Sequence, residues 1–420
     1  MRWVLRTVVG LIVLVLGLMI ALLIFLRIGP TGPVPAIDPI LTLNQAHADL
    51  TQNAAPLYLA AFERFVPPPD EGWMKGQLGL YDAAEIGPRV AAWVDQNAGC
   101  LAQARAASKA SNCWFELKRV ADGFLELPHG DKMRALLKLC RLRSKLAATR
   151  HDLPALEEWL RVTDRMARHL LQQRFVFPHV FGVGGLSYVQ ELVLNPFTWP
   201  ELSVGDRVAY FRRIKQVFEP PATAVAAIQA ERDEMCWNPF YRGNDPAILV
   251  PPRRFAGEVD RYLGLYVKLA AQPPEQQSNP ANPLRSAIDR VHSWKWSLKN
   301  PIRSELILVL PALLRPLDLH VRLICTQRGN RAVGEVFAYQ HEHGSLPESL
   351  DALEGRWRID PYTSHPFFCC PTEEGFILYS AGVDGDDDGG VHDRRFGERY
   401  DEPDNGDYVF WPLPERQDGR

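Results

Sequence analysis

Residues 132–148 read KMRALLKLCRLRSKLAA, and this stretch decides the fold class. Its apolar side chains recur every three or four residues, so they line one face of a helix, with lysines and arginines opposite. The apolar positions are Met133, Leu136, Leu137, Cys140, Leu142 and Leu146. Residues 154–173 repeat the pattern, and the link between the two segments offers Asp152 as an N-cap and Pro154 for the first helical turn. The pattern predicts two antiparallel helices joined as a hairpin.

Helical spacing continues on both sides of this hairpin, from about residue 38 to residue 326. Further helices are predicted at Leu43–Phe65, Glu85–Ala110, Val180–Leu194, Val204–Glu219, Thr223–Asp233, Gly257–Ala271 and Leu284–Leu298. Leu306–Leu314 is apolar but too short to cross a membrane, so it predicts a buried helix. We therefore expect residues 41–328 to form a mainly α-helical domain.

The first residues predict a membrane anchor. Thr7–Leu26 contains twenty residues without a charge, which at about 1.5 Å per residue is enough to cross the roughly 30 Å hydrocarbon core of a bilayer. Arg2 and Arg6 precede this run, so the positive-inside rule places the N-terminus in the cytoplasm. We expect residues 1–28 to be a single-pass transmembrane helix of the inner membrane. Residues 29–40 are then a proline-rich stalk that carries a periplasmic ectodomain. The alternative is a cleaved signal peptide, whose apolar region is usually shorter.

The charge composition does not predict a nucleic-acid partner. The net charge is −3 and the basic residues are spread along the chain, so no binding surface for phosphate backbones is expected. The seven cysteines match no zinc spacing. Outside the cytoplasm Cys100 and Cys113 could form a disulfide, and buried free thiols are the alternative for the cysteines in helices.

The chain changes character at about Gly329. A helix is predicted at Arg331–His343, ending before Gly344, and a second short helix within residues 345–353. Strands are predicted at Pro366–Cys370, Gly375–Ser380 and 407–411, the first two as a hairpin. We expect residues 329–420 to form a small α+β domain with a short antiparallel sheet.

The loop after the second of these strands, GVDGDDDGG at residues 382–390, is acidic and rich in glycine. Asp384, Asp386 and Asp388 alternate as carboxylate ligands do in calcium loops, and Gly389 follows as in an EF-hand. Arg395 stands where an EF-hand has its last glutamate, so an EF-hand is not expected. The composition favours a structural calcium site, and a solvated acidic loop is the alternative.

Four short motifs in this region occur in the order found in the C-terminal domain of the major pseudopilins of type II secretion systems. They are His343-Gly-Ser-Leu-Pro347, Asp360-Pro-Tyr362, Pro366-Phe367 and Tyr379-Ser-Ala-Gly-Val-Asp-Gly385. About 80 residues resemble that domain. The resemblance implies that Asp384 and the later Asp407 are calcium ligands. The prepilin cleavage signature of that family is absent from Met1–Leu26, so entry into a pilus-like fibre by that route is not expected.

The helical part is similar to the ectodomains of bacterial membrane-anchored families of unknown function. The likeness is carried by Asn53-Ala-Ala-Pro-Leu-Tyr58, Leu127-Pro-His129 and the hairpin at residues 131–173. This resemblance implies a location in the cell envelope and brings no activity with it.

No segment predicts a catalytic set. His341 and His343 are two residues apart and face different sides of a helix, whereas zincins need a spacing of four. Gly182–Ser187 lacks the lysine of a P-loop and favours close helix packing. We therefore expect a non-enzymatic, membrane-anchored extracytoplasmic scaffold with a calcium loop. The alternatives are an accessory protein of type II secretion and, with the tryptophan-rich helices as a sugar groove, a hydrolase of envelope polymers.

Overall fold

The computed structural model describes residues 14–21, 31–68, 87–120, 123, 125–238, 252–292, 303–373, 375–392 and 406–414. The described chain is mainly helical, with a small antiparallel sheet of three strands near the C-terminus, as predicted. In the described ranges after residue 31, the α-helices are α1 Pro39–Ala46, α2 Ala55–Glu63, α3 Pro88–Gln96, α4 Ala98–Ala107, α5 Gly130–Thr149, α6 Leu153–Leu171, α7 Val176–Leu192, α8 Val204–Arg213, α9 Val225–Trp237, α10 Pro252–Ala270, α11 Pro274–Gln277, α12 Pro283–His292 and α13 Arg303–His343. The strands are β1 Lys118–Arg119, β2 Leu125–Glu126, β3 Phe368–Thr372, β4 Gly375–Ser380 and β5 Tyr408–Trp411, and turns of 3-10 helix cover Asn195–Thr198, Lys215–Phe218, Leu350–Ala352 and Arg356–Arg358.

The predicted helical hairpin is confirmed as α5 and α6. All six of the predicted apolar residues of α5 are buried, and the Asp152 side chain accepts a hydrogen bond from the Ala155 N–H at 3.1 Å. Arg141 and Lys145, which belong to the basic residues predicted opposite the apolar face of α5, are buried. Helix α7 covers this side, and Glu191 forms ion pairs with Arg141 at 2.7 Å and with Lys145 at 3.1 Å.

Two glycines of α7 allow it to approach α6 closely, as predicted. A Cβ at Gly182 would lie 2.7 Å from a Leu171 methyl group and 2.8 Å from the Ala167 carbonyl oxygen. A Cβ at Gly185 would lie 2.8 Å from the Cβ of Ala167. All three distances are shorter than van der Waals contact, so only glycine fits here without a shift of α6.

Two long predicted helices are divided in the structure. The helix predicted at Leu43–Phe65 is interrupted between α1 and α2, where Gln52 has a φ of 55°. The described part of Glu85–Ala110 is divided into α3 and α4 at Asn97, whose buried side chain binds the backbone N–H and carbonyl of Val66. Apolar periodicity continues across both breaks, so the pattern alone does not reveal them.

Helix α13 crosses the predicted domain boundary between residues 328 and 329. The predicted helix start at Arg331 is therefore wrong, because the composition changes in the middle of this helix and not at its first residue. The predicted end at His343 is confirmed, and Gly344 comes next with a φ of 73°. The predicted buried helix Leu306–Leu314 lies inside this helix. The structure does not describe the side chains of residues 306–313, so their predicted burial lies outside the described residues.

The sheet has the order β3–β4–β5, and both pairs are antiparallel. The strand Gly375–Ser380 is confirmed in full, whereas the first predicted strand begins at Phe368 instead of Pro366. The sheet packs on α13 and shares an apolar core with α8 and the segment at residues 195–199. This core includes Phe197, Phe211, Phe337, Phe376, Leu378 and Phe410. The two predicted units therefore share one core. The short pair β1–β2 was not predicted.

The predicted membrane anchor lies mostly outside the described residues. Residues 14–21 are helical, and α1 begins at Pro39, within the predicted stalk. Among the helices in the described ranges, none is long and apolar enough to cross a membrane.

Candidate metal site

The acidic loop begins at a buried hydrogen-bond network around Ser380. Ser380 is fully buried, and its hydroxyl donates to Asp360 Oδ2 at 2.7 Å and accepts from the Gly382 N–H at 3.0 Å. Asp360 Oδ1 accepts from the Tyr362 N–H at 2.9 Å. Burial raises the pKa of Asp360 to about 6, although these hydrogen bonds oppose the rise. The motif at residues 360–362 and the motif at residues 379–385 are thus joined directly.

Glycines set the path of the loop. Gly382, Gly385, Gly389 and Gly390 have φ values of 74°, 73°, 69° and 82°, in the left-handed region that other residues adopt only at a cost. The chain therefore turns repeatedly within nine residues, which keeps the carboxylates between these glycines close to one another.

Asp407 lies against the end of this loop. It precedes β5, is fully buried, and its Oδ2 accepts a hydrogen bond from the Gly390 N–H at 2.6 Å. Its own N–H donates to the Val391 carbonyl at 2.7 Å. Its Oδ1 is buried and has no hydrogen-bond partner in the described structure. Burial raises the pKa of Asp407, hydrogen bonds with the Gly390 and Asp388 backbone oppose this rise, and the charges of Asp387 and Asp388 add to it.

The other three predicted ligands are exposed. Asp384 Oδ1 accepts a hydrogen bond from the Asp386 N–H at 3.2 Å, which stabilises the turn. Partial desolvation raises the pKa of Asp384, and the Asp388 and Asp386 carboxylates raise it further. These carboxylates repel one another, which disfavours their charged forms.

Asp387 has a role that the sequence did not reveal. Its Oδ1 accepts hydrogen bonds from the Tyr379 hydroxyl and from the Gly389 N–H, each at 3.0 Å. Tyr379 belongs to β4, so this contact ties the tip of the loop back to the sheet. The only signal in the sequence is the proximity of a strand tyrosine to an acidic run, which is not specific.

The described residues contain no group of three or more His, Cys, Asp or Glu side chains arranged to hold a metal ion. Calcium takes six to eight oxygen ligands, and backbone carbonyls commonly supply several of them. The free Oδ1 of Asp407 and the neighbouring loop carboxylates fit such a site only if the loop backbone contributes carbonyl oxygens. Side chains alone do not complete it.

The remaining candidates have ordinary structural contacts. The Ser187 hydroxyl donates to the Val183 carbonyl at 3.0 Å, one turn earlier in α7. His343 stacks on Tyr339, with ring centroids 4.0 Å apart, and is exposed. Cys100 and Cys113 are buried thiols, so the predicted disulfide between them is absent from this structure.

The described tryptophans of the helical part are buried, except Trp237, which is half-buried and has the Arg119 guanidinium 4.5 Å from its ring centroid. Trp93, Trp114 and Trp159 are buried, so these three do not line an open groove. Trp73, Trp294 and Trp296 lie outside the described residues. Comparison with protein-family models, curated proteins and solved structures found no match for this chain.

Proposed function

We propose that this protein is a membrane-anchored, extracytoplasmic interaction scaffold whose C-terminal loop binds a structural calcium ion. The observation that carries the calcium part is the buried carboxylate of Asp407, which has one oxygen without a partner in the described structure and faces an acidic, glycine-bent loop. The apolar run at Thr7–Leu26 supports the anchor.

A buried carboxylate that is only half satisfied costs free energy, and nearby like charges increase that cost. The loop places Asp387 and Asp388 close enough to raise the pKa of Asp407. A divalent cation at the free oxygen would offset both effects. A hard cation with a flexible coordination number suits an irregular loop better than magnesium, which demands a regular octahedron.

The test is the melting temperature of the full-length protein with millimolar calcium and with a chelator. The full chain is needed because the sheet shares its core with the helical part. We expect calcium to raise the melting temperature of the wild type, and Asp407→Asn to remove this shift. In chelator, Asp407→Asn should be at least as stable as the wild type, because it removes an uncompensated buried charge.

Asp49→Asn is the matched control, since Asp49 is an exposed aspartate far along the chain from the loop. It should keep the full calcium shift. A wild type whose melting temperature does not respond to millimolar calcium would contradict the calcium site. So would an equal shift in Asp407→Asn and the wild type.

The resemblance to the pseudopilin domain supports a second candidate, an accessory protein of type II secretion that docks on pseudopilins. The specific observation is the Ser380–Asp360 hydrogen bond, which joins two of the motif segments that carry the resemblance. Co-purification of pseudopilins with the full-length protein tests it. Loss of co-purification on Ser380→Ala, with the fold retained, would favour docking through this module, and no co-purification with the wild type would exclude it.

A further inference from the structure

We propose that a second site, separate from the acidic loop, binds a small polyanion that carries at least two phosphate-type groups. The site is a pocket of about 620 Å³ between α4, α6 and the 3-10 turn Lys215–Phe218, here called the basic pocket. Five cationic side chains line it: Arg105, Lys109, Arg161, Arg165 and Arg168.

Three of these cations are held in place by the protein. Arg105 forms an ion pair with Glu158, and Arg168 forms one with the buried Asp164 at 2.9 Å. Arg161 donates to the Arg213 carbonyl at 2.9 Å. These contacts order the wall of the basic pocket, so a ligand would meet guanidinium groups that are already positioned.

The other two cations are available to a ligand. Arg165 and Lys109 are exposed, and neither has an ion pair or a hydrogen bond from its side chain within the described ranges. Arg165 lies one helical turn from Arg161 and about one turn from Arg168, and Lys109 approaches from the end of α4. A charged group left free at the mouth of a pocket can form a strong charge-assisted hydrogen bond with an anion.

The charge of the basic pocket favours an anion even after its carboxylates are counted. Glu158 and Asp164 are already paired, which leaves Glu219 as the third acidic side chain of the lining. Arg161 also pairs with Glu157, outside the lining, at 3.5 Å. Within the described structure, the unpaired charges of the lining are then those of Arg165 and Lys109 against Glu219, and the pocket keeps a positive excess. An excess of one sign of charge in a cleft raises the local concentration of ligands of the opposite sign.

Spacing decides what kind of anion fits. Arg161, Arg165 and Arg168 share one face of α6, and the first and last are about 10 Å apart along the helix axis at ~1.5 Å per residue. A single phosphate cannot reach both ends of this row, whereas two linked phosphate groups can span more of it. The tetrahedral oxygens of phosphate also match the forked donors of arginine. The pocket volume lies in the usual range for small-molecule sites.

The test is isothermal titration of the full-length protein with pyrophosphate, with inorganic phosphate and with citrate, at low and matched ionic strength. We expect pyrophosphate to bind about tenfold more tightly than phosphate or citrate, and the affinity to fall as salt is added. The double variant Arg165→Gln/Lys109→Gln should weaken pyrophosphate binding by about tenfold or more. Both positions are exposed, so far-UV circular dichroism should be unchanged.

The matched control is Arg174→Gln/Lys132→Gln, which removes one exposed arginine and one exposed lysine that do not line the basic pocket. It should keep the wild-type affinity. No heat of binding with the wild type would overturn the proposal. Equal loss in both double variants would show attraction by net charge only, and citrate binding as tight as pyrophosphate binding would overturn the assignment to phosphate.

Discussion

Gly329→Ala tests how the C-terminal sheet is held on α13. A Cβ at Gly329 would lie 2.4 Å from three ring atoms of Phe410, whereas ordinary contact begins at 3.4 Å. The ring cannot yield easily, because Phe410 is 3% exposed and packs between Phe367 and Tyr408, with ring centroids 5.2 and 4.7 Å away. Overpacking of this kind lowers the free energy of unfolding by about 1–3 kcal/mol, and the higher helix propensity of alanine offsets about 1 kcal/mol of this loss.

We place the overpacking near the upper end of this range, since three atoms of one confined ring are involved. The expected net loss in the free energy of unfolding is then about 1–2 kcal/mol. Gly264→Ala is the control, because Gly264 lies inside α10 and an added Cβ would meet no atom within 4 Å. It should gain up to about 1 kcal/mol. Urea unfolding followed by far-UV circular dichroism measures both.

The result that would refute this reasoning is a Gly329→Ala variant as stable as Gly264→Ala. In that case Phe410 would have room to move, and the close packing of β5 on α13 would not limit stability. A loss of stability in Gly264→Ala would instead show that the effect belongs to helix glycines in general.

Two further predictions concern buried polar groups. Burial lowers the pKa of four histidines far below the ordinary value of 6.5, so the unfolded chain binds more protons than the folded protein at acidic pH. The free energy of unfolding should therefore fall as the pH drops from 6.5 towards 4, by about 2 kcal/mol per histidine at pH 5. Urea unfolding at a series of pH values measures this, and a stability that is constant between pH 7 and pH 5 would contradict it. These pKa values are about 4 for His129, His169 and His179 and about 3 for His320. Arg119→Leu should lower the free energy of unfolding by about 3–5 kcal/mol, because it leaves the buried Glu234 without its ion-pair partner. The control Arg232→Leu breaks an exposed ion pair and should lower it by about 0–1 kcal/mol. Equal losses in the same urea assay would contradict a stabilising role of the buried ion pair.

The local elements could largely be predicted because their signals are local. The apolar face of α5, the cap at Asp152 and the C-terminal glycine at 344 each depend on residues within one or two turns. The breaks between α1 and α2 and between α3 and α4 were missed because periodicity continues across them. What breaks the second pair is the contact of Asn97 with Val66, some thirty residues away in sequence.

The sequence by itself determined that the chain is mainly helical, that a short antiparallel sheet lies near its C-terminus, and that an acidic glycine-rich loop leaves the second strand of that sheet. Only the tertiary structure decided which polar groups are buried. Arg141 and Lys145 are covered because α7 packs on the side that looked solvent-facing, and Asp407 meets Gly390 because the sheet brings β5 beside β4. The basic pocket likewise joins segments about fifty residues apart. The physical reason is that periodicity fixes the face on which a side chain lies, whereas burial and charge pairing depend on which distant element covers that face.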